Sequence, residues 1–137
     1  WEQAKTRLVG VEPEVIAKYN VVSAPVAARM ALGAAAASGS DIAVSVTGVA
    51  GPTGGDEVRP VGTVYLGAAR GDTVYVQKLF VSRPDRALVR ARAAQAALAL
   101  ALRLAQGKVP AHTKPLAASE QHSAAALDAL NEAFLAE

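Results

Sequence analysis

The run Ile42-Ala43-Val44-Ser45-Val46-Thr47, followed by Gly48-Val49-Ala50-Gly51-Pro52-Thr53-Gly54-Gly55, decides the fold. Residues 42–47 are rich in β-branched side chains and nearly continuous in apolar character. That pattern belongs to a short strand covered on both faces. Residues 48–60 form a glycine-rich loop. Residues 61–69 and 73–81 alternate with a period of two, and Arg70-Gly71-Asp72 between them reads as a hairpin turn.

Helices flank this core on both sides. Residues 2–9 read as a helix ending at Gly10, and residues 12–19 as a second with Pro13 in its first turn. Ser23 is a good N-cap for a third, with Pro25 in its first turn and a stop at Gly39. That helix carries Gly33-Ala34-Ala35-Ala36-Ala37, small side chains suited to lying close on a sheet. Pro84 opens a long alanine-rich helix to about Ala105, with Leu88, Ala91, Gln95, Leu98 and Leu102 along one stripe. Residues 107–115, with Pro110 and Pro115, read as a linker. Residues 123–135 form a last amphipathic helix with Leu127, Leu130 and Phe134 on one face. The expectation is an α/β fold: a three-layer α/β/α sandwich with a mixed sheet, plus a C-terminal helical tail.

Composition excludes several function classes. A chain of 137 residues is one ordinary domain, and 52% hydrophobic against 19% charged residues is not a disordered composition. Cysteine is absent, so a disulfide scaffold and a thiolate nucleophile are excluded, and a reducing cytoplasm suits the chain. His112 and His122 sit in a polar tail and are poor material for a metal site. The longest apolar run, residues 30–37, is too short to span a membrane. The net charge is +2, and Arg83, Arg86, Arg90, Arg92 and Arg103 face one acid, Asp85. No aromatic residue interleaves them as a stacking platform, so a solvated helix face is favoured over nucleic-acid binding. The chain opens on Trp1, with acidic and polar residues after it and no signal-peptide pattern. Without a leading Met it reads as a processed or partial chain.

The glycine loop is the candidate site. Glycine lets backbone approach a ligand, and successive N–H groups can converge on an anion. The carboxyl end of a strand in an open α/β sheet is also where ligands sit. Thr47 and Thr53 can add hydroxyl donors. The loop has no Gly-Lys-Ser/Thr and no Gly-x-Gly-x-x-Gly, so it is neither a P-loop nor a dinucleotide fingerprint. On pattern alone a plain hairpin connection stays open.

Residues 45–55 together with Arg59-Pro60-Val61-Gly62-Thr63-Val64-Tyr65-Leu66-Gly67 resemble the CinA C-terminal domain family. That family takes its name from competence- and damage-inducible proteins. Lys5 with residues 8–11, Val22-Ser23 through Met30, and Arg83–Arg86 with Val89-Arg90 agree in order. The likeness covers residues 1–106, leaving 107–115 as linker and 116–137 as tail.

The resemblance implies hydrolysis of nicotinamide mononucleotide to nicotinic acid mononucleotide and ammonia. It places the chain in the cytoplasmic pyridine nucleotide cycle, with no metal and no cofactor. The family uses a serine in a Glu-Ser-Cys-Thr-Gly-Gly segment, which these 137 residues do not contain. The family's first strands are therefore expected to be missing, and the chain to be inactive alone. Lys5 matches the lysine that activates the serine, and Thr47 the threonine of the glycine loop. Gly48, Val49, Ala50, Gly51, Thr53, Gly54, Gly55, Arg86 and Arg90 are the implied substrate and phosphate contacts. Two alternatives stand beside the enzyme. One is a nucleotide or phosphate binder without a nucleophile. The other is an interaction module, homo-oligomeric through the tail helix, for which packing on its own domain is the favoured competitor.

Overall fold

The computed structural model describes residues 11–83 and 85–136. The helix expected over residues 2–9, with Lys5 in it, and the helix-opening Pro84 lie outside the described residues. Helix α1 spans Pro13–Tyr19 and α2 spans Ala24–Ser38. Ser23 caps α2 by accepting from the Val26 N–H, and Gly39 ends it at a φ of 67°. Strands β1 (Ile42–Gly48), β2 (Thr63–Arg70) and β3 (Thr73–Phe80) follow. Helix α3 spans Arg86–Ala105, strand β4 Lys114–Ala117 and helix α4 Ala124–Leu135.

The sheet order is β1-β2-β3-β4, and every pairing is antiparallel among the described residues. The hairpin led the sequence reading to a mixed sheet, not a wholly parallel one, with residues 42–47 covered on both faces. That cover comes from helices above and below, not from parallel neighbours. Tyr65, Ala69, Val74, Val76 and Leu116 pack on one face against α2 and α4. Val64, Leu66 and Ala68 pack on the other against Val89, Ala93, Leu100 and Leu104 of α3. The three-layer expectation therefore holds, with α2 and α4 in one layer and α3 in the other.

Two differences from the sequence reading concern the C-terminal third. Strand β4 begins inside the stretch read as a linker, and pairs with β3 from Thr73↔Ala117 to Val76↔Lys114. Pro115 is tolerated there because β4 is an edge strand. Helix α4 then packs onto its own domain: Leu127, Leu130 and Phe134 are buried, and the Phe134 ring meets Tyr65 edge-on at 5.8 Å. The Tyr19 hydroxyl donates to Asp128, and Lys18 Nζ lies 3.0 Å from the same carboxylate, tying α4 to α1. These donors hold the Asp128 carboxyl below its ordinary range, the Tyr19 hydrogen bond contributing most. The second difference is the facing of α3. The stripe through Leu88, Ala91, Gln95, Leu98 and Leu102 does not form the buried face; Val89, Ala93, Leu100 and Leu104 do. Alanine is apolar on every side of this helix, so the pattern carries little contrast.

The closest packing lies between α2 and the sheet. Ala24, Ala27, Ala28 and Ala31 are fully buried. The Ser45 hydroxyl donates to the Ala27 carbonyl at 2.6 Å. A Cβ on Gly67, the neighbour of Ser45 across the ladder, would stand 2.4 Å from that same carbonyl oxygen. Only a residue without a side chain fits there. At the head of α2, buried Arg29 meets Glu12 at 2.8 Å, and this hydrogen bond holds the Glu12 carboxyl below its ordinary range. One further clip joins β1 to the turn between α1 and α2: the Thr47 hydroxyl donates to the Val21 carbonyl at 2.8 Å, with Thr47 buried.

Two substitutions test this packing. Gly67→Ala overpacks the α2–sheet contact and is expected to lower unfolding free energy by about 2–3 kcal/mol in urea titration. Thr47→Val keeps the shape but leaves the Val21 carbonyl without its donor, with an expected loss of about 1–2 kcal/mol.

Candidate functional site

Residue Gly48 ends β1 at the edge of a cavity of about 480 Å³. Its walls come from three segments: the turn after α1, the loop after β1, and the first turn of α3. Each is held by local chemistry.

The turn after α1 is fixed by its own side chains. Asn20 takes a φ of 79° and a ψ of 153°, outside the left-handed helical region and rarely adopted by a residue with a side chain. Its side-chain oxygen accepts from the Val22 N–H at 3.0 Å, and the Ser23 hydroxyl donates to the Asn20 carbonyl at 2.8 Å.

The loop is closed at its base, where the Val49 N–H donates to Thr63 O and the Gly62 N–H to Val49 O. Asp56 shapes the far end by accepting from the N–H groups of Val58 at 2.9 Å and Arg59 at 2.7 Å. Arg59 then reaches back to the turn after α1, donating to Val22 O at 2.5 Å and Tyr19 O at 2.7 Å. Gly51 has a φ of 89° and precedes a cis Pro52. A Cβ there would meet Val61 Cγ1 at 2.6 Å, so glycine is required on both counts. Between these anchors the N–H groups of Ala50, Gly51, Thr53, Gly54 and Gly55 make no backbone hydrogen bond among the described residues. Among the described residues they are donors without an internal acceptor.

Helix α3 supplies the third wall. Asp85 caps it, accepting from the Leu88 N–H at 2.9 Å. The Arg86 guanidinium then crosses to the loop, 3.4 Å from the Gly51 carbonyl. Two guanidinium groups, Arg59 and Arg86, and one carboxylate, Asp56, line the cavity, each with backbone partners of its own. The cavity favours an anion.

The structure brings together Gly48, Val49, Ala50, Gly51, Thr53, Gly54 and Arg86 of the residues expected from sequence. Gly55 packs behind the wall, where a Cβ would stand 2.6 Å from the Val61 nitrogen. Arg90 is exposed on α3 and outside the lining. Thr47 lies behind the wall with its hydroxyl committed to Val21. The amide of Val49 is spent on Thr63, so the free donors begin at Ala50. Lys5 lies outside the described residues. Sequence reasoning missed Asn20, Asp56 and Arg59 as lining residues. Arg59 stood inside the Arg-Pro-Val-Gly stretch, and an asparagine directly after a helix was the signal for a positive φ at residue 20.

Comparison with known proteins identifies the family. The family model described as CinA C-terminal domain matches residues 1–105. A relative from Escherichia coli (strain K12), nicotinamide-nucleotide amidohydrolase PncC, is 43% identical over 98 residues, covering 70% of this chain and 58% of that protein. A CinA-like protein from Geobacter sp. (strain M21) is 51% identical over 88 residues, covering 64% of this chain and 21% of that one. Among solved structures, a competence-damaged protein (CinA) superfamily protein from Escherichia coli superposes with a TM-score of 0.71 at 34% identity, over 76% of this chain and 60% of the other. A competence/damage inducible protein from Agrobacterium tumefaciens superposes at 0.68 and 33% identity, over 79% and 65%. The chain therefore spans 58% of the amidohydrolase and 21% of the Geobacter relative. With a glycine loop, a folded sheet and a family match that coincide on the same residues, the chain belongs to the CinA C-terminal domain family.

Proposed function

We propose that this domain serves nicotinamide-nucleotide amidohydrolysis, turning nicotinamide mononucleotide into nicotinic acid mononucleotide and ammonia. The observation that carries the reading is the cavity at the end of β1, lined by Arg86 and by loop residues whose amides make no backbone hydrogen bond among the described residues. The likeness to the Escherichia coli amidohydrolase supplies the choice of nucleotide.

In this reading the amides of Ala50, Gly51, Thr53 and Gly54 and the Arg86 guanidinium hold the 5′-phosphate. Charge-assisted bonds from an arginine suit that group. Arg90 adds positive potential from the next turn of α3. Thr47 is a positioning residue: its bond to Val21 sets the height of the turn that walls the cavity. Lys5 takes the role the resemblance assigns it, accepting the proton of a serine hydroxyl. The serine attacks the carboxamide carbon, the C–N bond breaks with ammonia leaving, and water releases the acid. These 137 residues carry no Glu-Ser-Cys-Thr-Gly-Gly segment, so the serine comes from polypeptide outside them.

Calorimetry separates the binding step from turnover. The chain is expected to bind nicotinamide mononucleotide and to bind the unphosphorylated riboside far more weakly. Arg86→Ala should weaken the mononucleotide about tenfold and leave the riboside unchanged, the loss of one charge-assisted contact. Equal affinity for both ligands would contradict the phosphate assignment. Ammonia release is then followed with the domain joined to a serine-bearing segment. Binding without release there would favour the non-catalytic binder.

A further inference from the structure

Helix α4 lies beyond residue 105, where the family match ends, yet its contacts lead to the cavity. Arg59 lines that cavity and rests on two carbonyls, Val22 O at 2.5 Å and Tyr19 O at 2.7 Å. A guanidinium holds its N–H donors in a rigid plane, so two such bonds fix its orientation. Its remaining donors have no hydrogen-bond partner among the described residues. The position of the two carbonyls therefore decides where Arg59 presents its free donors.

Both carbonyls belong to residues whose side chains pack with α4. Tyr19 and Val22 are buried in one cluster with Leu127, Leu130 and Phe134. The Tyr19 hydroxyl donates to Asp128 of α4, and Lys18 Nζ lies 3.0 Å from the same carboxylate. Just ahead of α4, His122 Nδ1 lies 3.8 Å from Glu12 Oε1, so the C-terminal segment meets α1 at both its ends. The middle of the turn is held separately, by Thr47 at the Val21 carbonyl.

Open space borders this turn on more than one side. A second cavity of about 450 Å³ is lined by Lys18, Tyr19, Asn20, Val21 and Arg59. Asn20, Val21 and Arg59 line the first cavity as well, so they form a partition between the two. A partition with a void on either side has its position imposed from its ends. We propose that Asp128 is a positioning residue for this wall: by holding the Tyr19 hydroxyl it sets the carbonyls that aim Arg59 into the cavity. Without Asp128 the part-buried hydroxyl loses its acceptor, and the ring must shift to reach water. The Tyr19 carbonyl moves with it. The proposal rests on the nucleotide reading above only for the ligand used as a probe.

The Arg59 Nε–H resonance of the full, ligand-free chain reports the bond to Val22 directly. Asp128 is half-exposed, so Asp128→Ala leaves the core filled. It should shift this resonance and speed its exchange with water about three- to tenfold, the scale of one lost hydrogen bond. Asp128→Asn keeps an acceptor for the hydroxyl and should stay close to the parent. Phe134→Leu loosens α4 against Tyr65 and should lower the melting temperature without moving the resonance. Calorimetry then reads the consequence: nicotinamide mononucleotide should bind Asp128→Ala about three- to tenfold more weakly than the parent. An Arg59 resonance unmoved by Asp128→Ala would overturn the proposal, as would one moved equally by Phe134→Leu. Parental mononucleotide affinity in Asp128→Ala would overturn it too. A parent chain that binds no mononucleotide, with Arg59 still responding to Asp128→Ala, would overturn the nucleotide reading and leave the coupling of α4 to the wall in place.

Discussion

The approach of α2 to the sheet sets the rest of the molecule. The Ala27 carbonyl sits where Gly67 has no side chain and where the Ser45 hydroxyl can reach it. That contact fixes the height of α2 above β1 and β2. The turn that precedes α2 is then held over the end of β1, close enough for Thr47 to bond the Val21 carbonyl. Arg59 can reach the same turn only because it hangs at that height. A wall of the cavity is therefore a consequence of packing one layer below it. Small side chains in α2 shape the site without touching a ligand.

The loop after β1 completes the cavity by leaving hydrogen bonds unmade. Its base and its far end are closed by backbone and Asp56 contacts, and the amides between them have no acceptor among the described residues. Solvated donors in a held loop are available to an anionic ligand, which would stabilise the fold by binding it. Arg86 adds charge from a different layer. Because α3 lies on the opposite face of the sheet from α2, the cavity gathers groups from both outer layers at one end of β1. A phosphate bound there would bridge the two layers through the loop.

The elements with strong local signals were legible in the sequence. Residues 42–47, the hairpin around Gly71, the Ser23 cap and the stop at Gly39 depend on neighbours within a turn or two. The irregular conformation of the glycine loop was legible for the same reason, since its conformational demands are written in its own residues. What escaped depends on distant partners. Strand β4 is four residues long and contains a proline; it exists because β3 offers an open edge. The facing of α3 is set by which alanines the sheet accepts, and alanine on all sides leaves no pattern to read. Arg59 enters the site through carbonyls 37 and 40 residues earlier in the chain. No local rule reports such a bond.

Backbone amide shifts in a nuclear magnetic resonance titration test the central claim most directly, and a 14.0 kDa chain suits the method. Nicotinamide mononucleotide is added and each N–H is followed separately. The account predicts the largest changes at Ala50, Gly51, Thr53 and Gly54, saturating together, with the Arg86 side chain moving alongside them. Changes confined to other surfaces, or no saturable change in the loop, would contradict it.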